Sequence, residues 1–192
     1  MSWLTASRDG ELADAACAGR DAAFSELMHR HRDFVFRVAR GQTGNDDDAL
    51  EVTQHTFIAA FAALDRYDRT RPFAHWIARI AINKARDLHR RRKVRQWLSR
   101  ALPIDAAVQV ADPAPGADAM VDDRATLART MRLIAALPAS LRDVLVLRTI
   151  TGLDEAETGA VLGIGRKAVE TRLYRARARL REKLQGTGGD AA

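Results

Sequence analysis

The sequence predicts an all-α protein made of two small helical domains joined by a flexible acidic linker. Apolar residues recur at helical spacing in residues 21–97 and 124–184, and no stretch shows the strict alternation of a half-buried strand. Between these blocks, residues 101–123 contain three of the five prolines, five Asp and no Lys or Arg. This composition is typical of a linker, predicted over residues 98–123, and an irregular loop within one domain is the alternative.

The ends of the chain and its single cysteine limit the class of protein. Residues 1–20 are assigned to an N-terminal extension and residues 185–192 to a disordered tail. The N-terminus lacks the basic start and apolar run of a signal peptide, and no stretch approaches the ~20 apolar residues that span a bilayer. Cys17 is the only cysteine, which excludes an intramolecular disulfide and a thiolate zinc site. We expect a cytoplasmic protein without membrane insertion.

Positive charge is concentrated in two segments. The formal net charge is +6, which favours a polyanionic partner. Residues 84–100 hold eight Lys or Arg against one Asp, and residues 166–183 hold eight against two Glu. Together they carry 16 of the 31 basic residues, and both have helical patterning. Two basic helices are therefore predicted.

The first block divides into helices at recognisable signals. Its first apolar stripe predicts one helix or two short ones, which Gly41 and Gly44 are expected to break. Asn45 suits the N-cap of the next helix, because the three Asp that follow lie near the positive end of the helix dipole. After a polar loop over residues 65–71, Pro72 suits the first turn of a further helix. The apolar stripe of that helix consists of Phe73, Trp76, Ile77, Ile80, Ala81 and Leu88.

The second block ends in the pattern of a helix-turn-helix. Asp154 and Glu157 have capping-box spacing and begin a short helix that reaches Leu162. A glycine-containing turn over residues 163–165 precedes a long basic helix from residue 166 to about residue 184. This arrangement is typical of DNA-reading modules, and an amphipathic helix with a solvated basic face is the alternative.

On the last helix, the residues near its start are predicted to read DNA bases. Val169, Leu173 and Ala176 are predicted to face the core, so the opposite face is free for the major groove. An arginine fork on a guanine edge contributes about 1–3 kcal/mol of discrimination. The candidate residues for contact with duplex DNA are Arg166, Lys167, Glu170, Thr171, Arg172 and Arg175.

A second basic face lies in the first block, beside a loop aromatic. Arg79, Asn83, Arg86 and Arg90 follow one another at i, i+4, i+7 and i+11, away from the apolar stripe. Tyr67 lies in the charged loop before this helix, and an exposed aromatic there could stack on an unpaired base. The alternative is that Tyr67 packs on its own domain.

Three segments resemble the extracytoplasmic-function sigma factors, a group within the sigma-70 family. Residues 48–57 (DALEVTQHTF) resemble the segment of that family that docks on the polymerase clamp. Residues 73–83 (FAHWIARIAIN) resemble its helix for the minus-ten promoter element. Residues 152–177 are similar to its module for the minus-thirty-five element. The family's domains would then cover residues 21–97, as region two, and residues 124–184, as region four.

The resemblance implies a promoter-recognition subunit without a cofactor. Its partners would be the core of bacterial RNA polymerase, through the beta-prime clamp and the beta flap, promoter DNA and an anti-sigma factor. The implied contacts with the polymerase core are Asp48, Val52, Thr53, Gln54 and Phe57. Those implied for the minus-ten element are Tyr67, Arg79, Asn83, Lys84, Arg86 and Arg90. The residues from Arg166 to Arg175 would read the minus-thirty-five element.

Three residues depart from the family pattern. His55 stands where Glu is common, which changes the expected clamp contact. Lys167 replaces a frequent Gly, and Glu170 replaces a frequent Lys or Arg. The last two lie on the reading helix and leave its preferred DNA sequence open.

Two other classes of protein are alternatives. A free-standing helix-turn-helix regulator would need a dimer interface or ligand pocket, and it leaves Gln54, Tyr67 and Asn83 unexplained. An enzyme is disfavoured because the five histidines show no metal-binding spacing and no Gly-rich phosphate loop exists.

Overall fold

The computed structural model describes residues 2–101 and 119–186, and all of its regular elements are helical, which confirms the all-α prediction. Most of the predicted linker, residues 102–118, lies outside the described residues. The N-terminal half comprises α1 (Ser2–Ala6), α2 (Asp9–Cys17), α3 (Asp21–Thr43), α4 (Asp46–Ala62), a 3₁₀ turn (Leu64–Arg66) and α5 (Phe73–Ala101). The C-terminal half comprises α6 (Ala119–Ala135), α7 (Ala139–Leu145), a π-helical turn (Val146–Ile150), α8 (Glu155–Leu162) and α9 (Arg166–Gly186). Among the described helices, none is long and apolar enough to cross a membrane.

Sequence reasoning did not predict α1 and α2, which belong to the N-terminal extension and pack on α3. Arg30 of α3 holds them, because its guanidinium donates to the carbonyls of Leu4 at 2.6 Å and Ser7 at 2.8 Å. Leu12 of α2 is fully buried in the main core. The extension is therefore an integral part of the first domain.

The first long helix runs unbroken, contrary to the expectation that Gly41 would end it. Gly41 is the third-last residue of α3, and the helix stops only at Gly44, whose φ of 84° is left-handed. Gly41 has a packing reason instead, since a Cβ built there would lie 2.8 Å from Cγ2 of Val146. The missing side chain allows the π-helical turn to approach α3 closely.

The helix starts follow the predicted caps. The side chain of Asn45 accepts a hydrogen bond from the backbone N–H of Asp48 at 2.8 Å, which confirms the N-cap of α4. Phe73 and Ile77 are buried on the inner face of α5, whereas Trp76 is only partly buried.

In the C-terminal half, α6 begins five residues before the predicted start of the second block. The helix predicted to end at Gly152 is shorter than expected, because α7 passes into the π-helical turn after Leu145. The helix-turn-helix is confirmed in detail. Asp154 and Glu157 form a reciprocal capping box, and Gly163 ends α8 with a φ of 67°.

The two halves pack directly against each other. Leu147, Leu153 and Val161 of the C-terminal half share one core cluster with the N-terminal half. At this interface Nε of Arg142 donates to Oε1 of Gln42 at 2.7 Å, and both side chains are buried. The two predicted domains are therefore packed against each other in this structure, which is called the closed arrangement.

Candidate nucleic-acid and polymerase interface

The basic helix α9 presents its first turns to solvent. Val169, Leu173 and Ala176 are buried beneath it, as predicted. Of the six candidate residues for duplex DNA, Arg172 is half-buried and the other five are exposed, namely Arg166, Lys167, Glu170, Thr171 and Arg175. The structure thus brings all six to the start and outer face of one helix.

Local contacts orient this reading face. The backbone N–H of Glu157 donates to Asp154, and this bond lowers the pKa of the Asp154 carboxyl. The Thr171 hydroxyl donates to the carbonyl of Lys167 at 2.8 Å, so its oxygen remains available as an acceptor. Arg166 lies 3.7 Å from a carboxylate oxygen of Glu155, a loose pairing that leaves its guanidinium accessible.

The second basic face lies along α5. Arg79, Asn83, Arg86 and Arg90 are all exposed on the same face of the helix. Arg90 pairs with Asp87 of its own helix at 2.6 Å, whereas Arg86 pairs with Asp143 of α7.

Two further features define the limits of this face. The Arg79 guanidinium lies beside Gly163 of the helix-turn-helix, 3.7 Å from the position of a Cβ at that glycine. Lys84 is partly buried and lines a groove between α4 and α5 with Glu51 and His55. The structure therefore does not bring Lys84 into the row of the other candidates.

Of the two alternatives for Tyr67, exposed or packed on its own domain, the structure shows the packed one. Tyr67 is only 3% exposed and packs with ring-centroid distances of 5.2 Å to Phe73 and 5.3 Å to Trp76. Its hydroxyl donates to the carbonyl of Arg71 at 2.6 Å, and burial raises its pKa. The physical reason is that the loop folds back onto the aromatic start of α5, where burying one more ring is favourable.

A cavity of about 450 Å³ lies beside this loop, at the N-terminal end of the α5 face. Tyr67, Trp76 and Arg79 line one side of it, and Ala160 and Val161 of α8 line the other. Such a mixture of aromatic, cationic and polar groups suits a nucleobase, which stacks on a ring and bonds along its edge. In the closed arrangement, α8 borders this space.

Most of the candidate contacts with polymerase are internal. Asp48 is 5% exposed and is engaged by Asn45 and Arg92. Val52 lies in a core cluster. Thr53 and Phe57 are also buried, so Gln54 is the exposed member of the predicted set. The family resemblance points to a segment of α4 as the polymerase contact. Within that segment, the helical period places most of the candidate side chains on the inner face of the helix.

An apolar groove between α3 and α4 was missed by sequence reasoning. It has a volume of about 670 Å³ and includes Thr53, Gln54 and Phe57 in its lining. The large side chains of Met28, Ile58 and Phe61 also line it and are 41%, 66% and 52% exposed. The sequence does contain a signal for this groove, because both helices carry apolar residues outside the stripe that faces the core. A contiguous exposed apolar surface of this kind marks an interaction site.

Comparisons with known proteins agree along the chain. The family described as Sigma-70 region 2 matches residues 27–95, and the one described as Sigma-70, region 4 matches residues 127–180. The chain is 42% identical over 175 residues to RNA polymerase sigma factor CnrH of Cupriavidus metallidurans, covering 90% of this chain and 92% of that one. It is 34% identical over 172 residues to ECF RNA polymerase sigma factor SigE of Mycolicibacterium smegmatis, covering 88% of this chain and 65% of that one.

Among solved structures, that of CnrH in complex with the cytosolic domain of CnrY is similar, with a TM-score of 0.68 and 35% identity. The likeness covers 93% of this chain and 97% of that chain. Both halves of the protein are thus matched in the same order, α3 to α5 by region two and α6 to α9 by region four. The chain belongs to the extracytoplasmic-function sigma factors of the sigma-70 family.

Proposed function

We propose that three surfaces divide the work of this sigma factor, which binds core RNA polymerase, recognises promoters and promotes DNA opening. The start of α9 would read the minus-thirty-five duplex. The α5 face and the loop over residues 67–72 would bind the minus-ten element. The groove between α3 and α4 would receive the polymerase core. Sigma factors are initiation factors and not enzymes, so the proposal contains no catalytic residue.

The observation that carries the minus-ten assignment is the exposed row of α5 beside the aromatic cavity. Asn83 has both donors and an acceptor for a base edge, and the flanking arginines suit phosphates. Unstacking costs about 1.4 kcal/mol per base step, and one stacked base returns about 1–3 kcal/mol. The sigma factor alone therefore cannot hold a bubble open, and the polymerase has to supply most of the energy.

Exposed apolar area supports the assignment of the polymerase contact to the groove. Ile58 and Phe61 present apolar surface to water in the free protein, and covering it stabilises a complex by about 25 cal/mol per Å². Gln54 at the same groove provides a polar group for orientation. We assign the contact to this groove and not to the buried side chains of Asp48 and Val52.

Promoter binding requires the two halves to separate. In the closed arrangement Arg86 is paired with Asp143, and α8 borders the cavity beside Tyr67. DNA cannot reach all of the α5 face while the helix-turn-helix lies against it. Separation also frees α9 to reach a second site on the promoter through the linker.

The likeness to CnrH supports a protein partner for this chain. That sigma factor was solved with the cytosolic domain of CnrY bound. We propose that the partner of this chain is an anti-sigma factor. We also place its action in the cytoplasm, where it would meet RNA polymerase.

Mapping of transcript starts tests the proposed function. Core polymerase free of sigma factors is mixed with the protein and sheared genomic DNA, and the 5′ ends of the transcripts are sequenced. The proposal predicts starts behind a shared two-part motif. An absence of protein-dependent starts, beside a control sigma factor that works, would contradict it.

The polymerase contact is tested with Ile58→Glu by gel filtration of the variant mixed with core polymerase in the absence of DNA. A carboxylate in the apolar groove should abolish this association. Val94→Glu is the matched control, because Val94 is 52% exposed but lies on α5 outside the groove. Equal loss in both variants would exclude the groove as the docking site.

A further inference from the structure

One arginine in the loop before α5 binds both the backbone of the loop and a distant helix. Nη1 of Arg69 donates to the carbonyls of Leu64 at 3.2 Å and Asp65 at 3.3 Å. The same nitrogen also donates to the carbonyl of Tyr67. Nε of Arg69 donates to Oδ1 of Asp14 at 2.9 Å, on α2 and 55 residues earlier in the chain. A single guanidinium therefore fixes the turn and joins it to the N-terminal extension.

Three residues of α2 lie against this side chain. Gly10 lies beside its aliphatic part, where a Cβ would be 3.5 Å from Cγ of Arg69, an ordinary contact distance. Nη2 of Arg69 lies 3.4 Å from Sγ of Cys17, one turn along the helix from Asp14. Only 28% of the Arg69 side chain is exposed. Its packing against three residues of α2 distinguishes it from a solvated surface arginine.

The loop that Arg69 fixes carries the groups that face the cavity. Tyr67, Asp68 and Thr70 all line it, and Oδ1 of Asp68 accepts from the backbone N–H of Thr70 at 3.0 Å. The guanidinium of Arg69 also lies 5.6 Å from the centroid of the Tyr67 ring. The position of α2 therefore determines where these groups lie relative to α5.

The negative charge of Asp14 makes it possible to distinguish a positioning role from a direct electrostatic effect on DNA binding. Asp14 is acidic, and its side chain is 69% exposed beside a surface assigned to DNA. If only its charge mattered, the Asp14 carboxylate would weaken the binding of DNA, because DNA is a polyanion. If Asp14 instead positions the loop, its removal weakens recognition even though it makes the surface more positive.

We infer that Arg69 and Asp14 form a clamp that positions the loop over residues 67–72 for minus-ten recognition. They are positioning residues, since neither has to touch a base. The inference rests on the proposed assignment of this loop to the minus-ten element. It makes α2 of the N-terminal extension a part of promoter recognition.

The test measures base selectivity within the minus-ten element. Holoenzyme is reconstituted on a promoter found by start mapping and on single-base variants of its downstream motif. The readout is the ratio of initial transcription from the matched promoter to that from each mismatched one. Because this ratio is taken within one protein preparation, a partly unfolded variant that is merely less active leaves it unchanged.

Three variants distinguish a positioning role of Arg69 and Asp14 from an effect of charge alone. Arg69→Lys keeps the charge but loses the fork, and it should lower the selectivity ratio about tenfold, as loss of about 1.4 kcal/mol would. Asp14→Ala should lower it about threefold, since the pair is partly exposed. Asp33→Ala is the matched control: it removes the same charge from an exposed site on α3, where Asp33 pairs with neighbouring Arg32.

The selectivity ratios of the three variants either support or overturn the clamp. Reduced ratios in Arg69→Lys and Asp14→Ala, with Asp33→Ala at the wild-type ratio, support the clamp. Wild-type ratios in all three variants overturn it, as do ratios lowered equally in Asp14→Ala and Asp33→Ala. If the wild-type protein itself yields no promoter-dependent starts, the proposed function fails and this inference fails with it.

Discussion

The guanidinium of Arg86, on the face of α5 assigned to DNA, donates to the carboxylate of Asp143 in the C-terminal half. The two partners are unequally buried, because the Arg86 side chain is 47% exposed and that of Asp143 is 2% exposed. Asp143 follows Arg142, which reaches across the same interface to Gln42. A residue assigned to promoter DNA is therefore occupied by the other half of the same chain.

This asymmetry predicts that Arg86→Ala opens the molecule. Removing the arginine takes away the hydrogen-bond donor of a buried carboxylate. Because the Arg86 side chain is half exposed, the cost is below the ~3–5 kcal/mol of a fully buried pair. Separation of the halves returns Asp143 to water and relieves that cost. Small-angle X-ray scattering should therefore show a larger radius of gyration. Arg90→Ala is the control, since Arg90 pairs within α5, and an unchanged radius for Arg86→Ala would refute the prediction.

Gly41→Ala should open the same interface by a steric route. Alanine ordinarily favours a helix interior over glycine by about 0.5–1 kcal/mol, so α3 itself would gain stability. However, the new Cβ would lie 2.8 Å from Val146 and 2.9 Å from Ile150, which the packed interface cannot accept. We expect a larger radius of gyration and a lower melting temperature.

The comparison variant is Gly10→Ala, also within a helix. Its Cβ would meet Arg69 at 3.5 Å, an ordinary contact. If Gly41→Ala were as compact and as stable as Gly10→Ala, the close approach of the two halves would not describe the protein in solution.

Asp154 predicts a pH dependence of stability at the start of α8. The N–H of Glu157 lowers the pKa of Asp154 from its ordinary value of 3.8. Because the folded pKa is the lower one, the carboxylate stabilises the fold fully above pH 3.8, and this contribution is lost as the pH falls through the folded pKa. Asp154→Asn keeps a capping oxygen but does not titrate.

Melting temperatures of the two proteins should therefore diverge below pH 3.8, with the wild type losing stability relative to Asp154→Asn. Above that pH the difference between them should be constant. Curves that run parallel through the acidic range would show that the cap does not depend on the ionised carboxylate.

Local signals in the sequence predicted the caps of α4 and α8 correctly. The partners Asn45 and Asp48, like Asp154 and Glu157, are three residues apart in the sequence. This spacing is enough to predict the capping hydrogen bond. The buried stripes of α5 and α9 were predicted for the same reason, because a helical period links residues that are close in the sequence.

Features that depend on distant parts of the chain were not predictable in this way. The role of Gly41 arises from Val146, 105 residues later, and the π-helical turn that carries Val146 has no local signature. The sequence left open whether Tyr67 is exposed or packed, because its burial depends on how the loop folds over Phe73 and Trp76. α2 was missed because its inner face consists largely of alanine, which gives a weak apolar stripe.

A randomised promoter library tests the proposed division of promoter recognition between α5 and α9. Transcripts from a library with both motif elements varied are sequenced for the wild type, Asn83→Ala and Arg175→Ala, and base preferences are compared position by position. We predict that Asn83→Ala flattens base preferences in the minus-ten element alone and that Arg175→Ala flattens them in the minus-thirty-five element alone. If each variant flattened both elements equally, or neither, the assignment of one element to each helix would be contradicted.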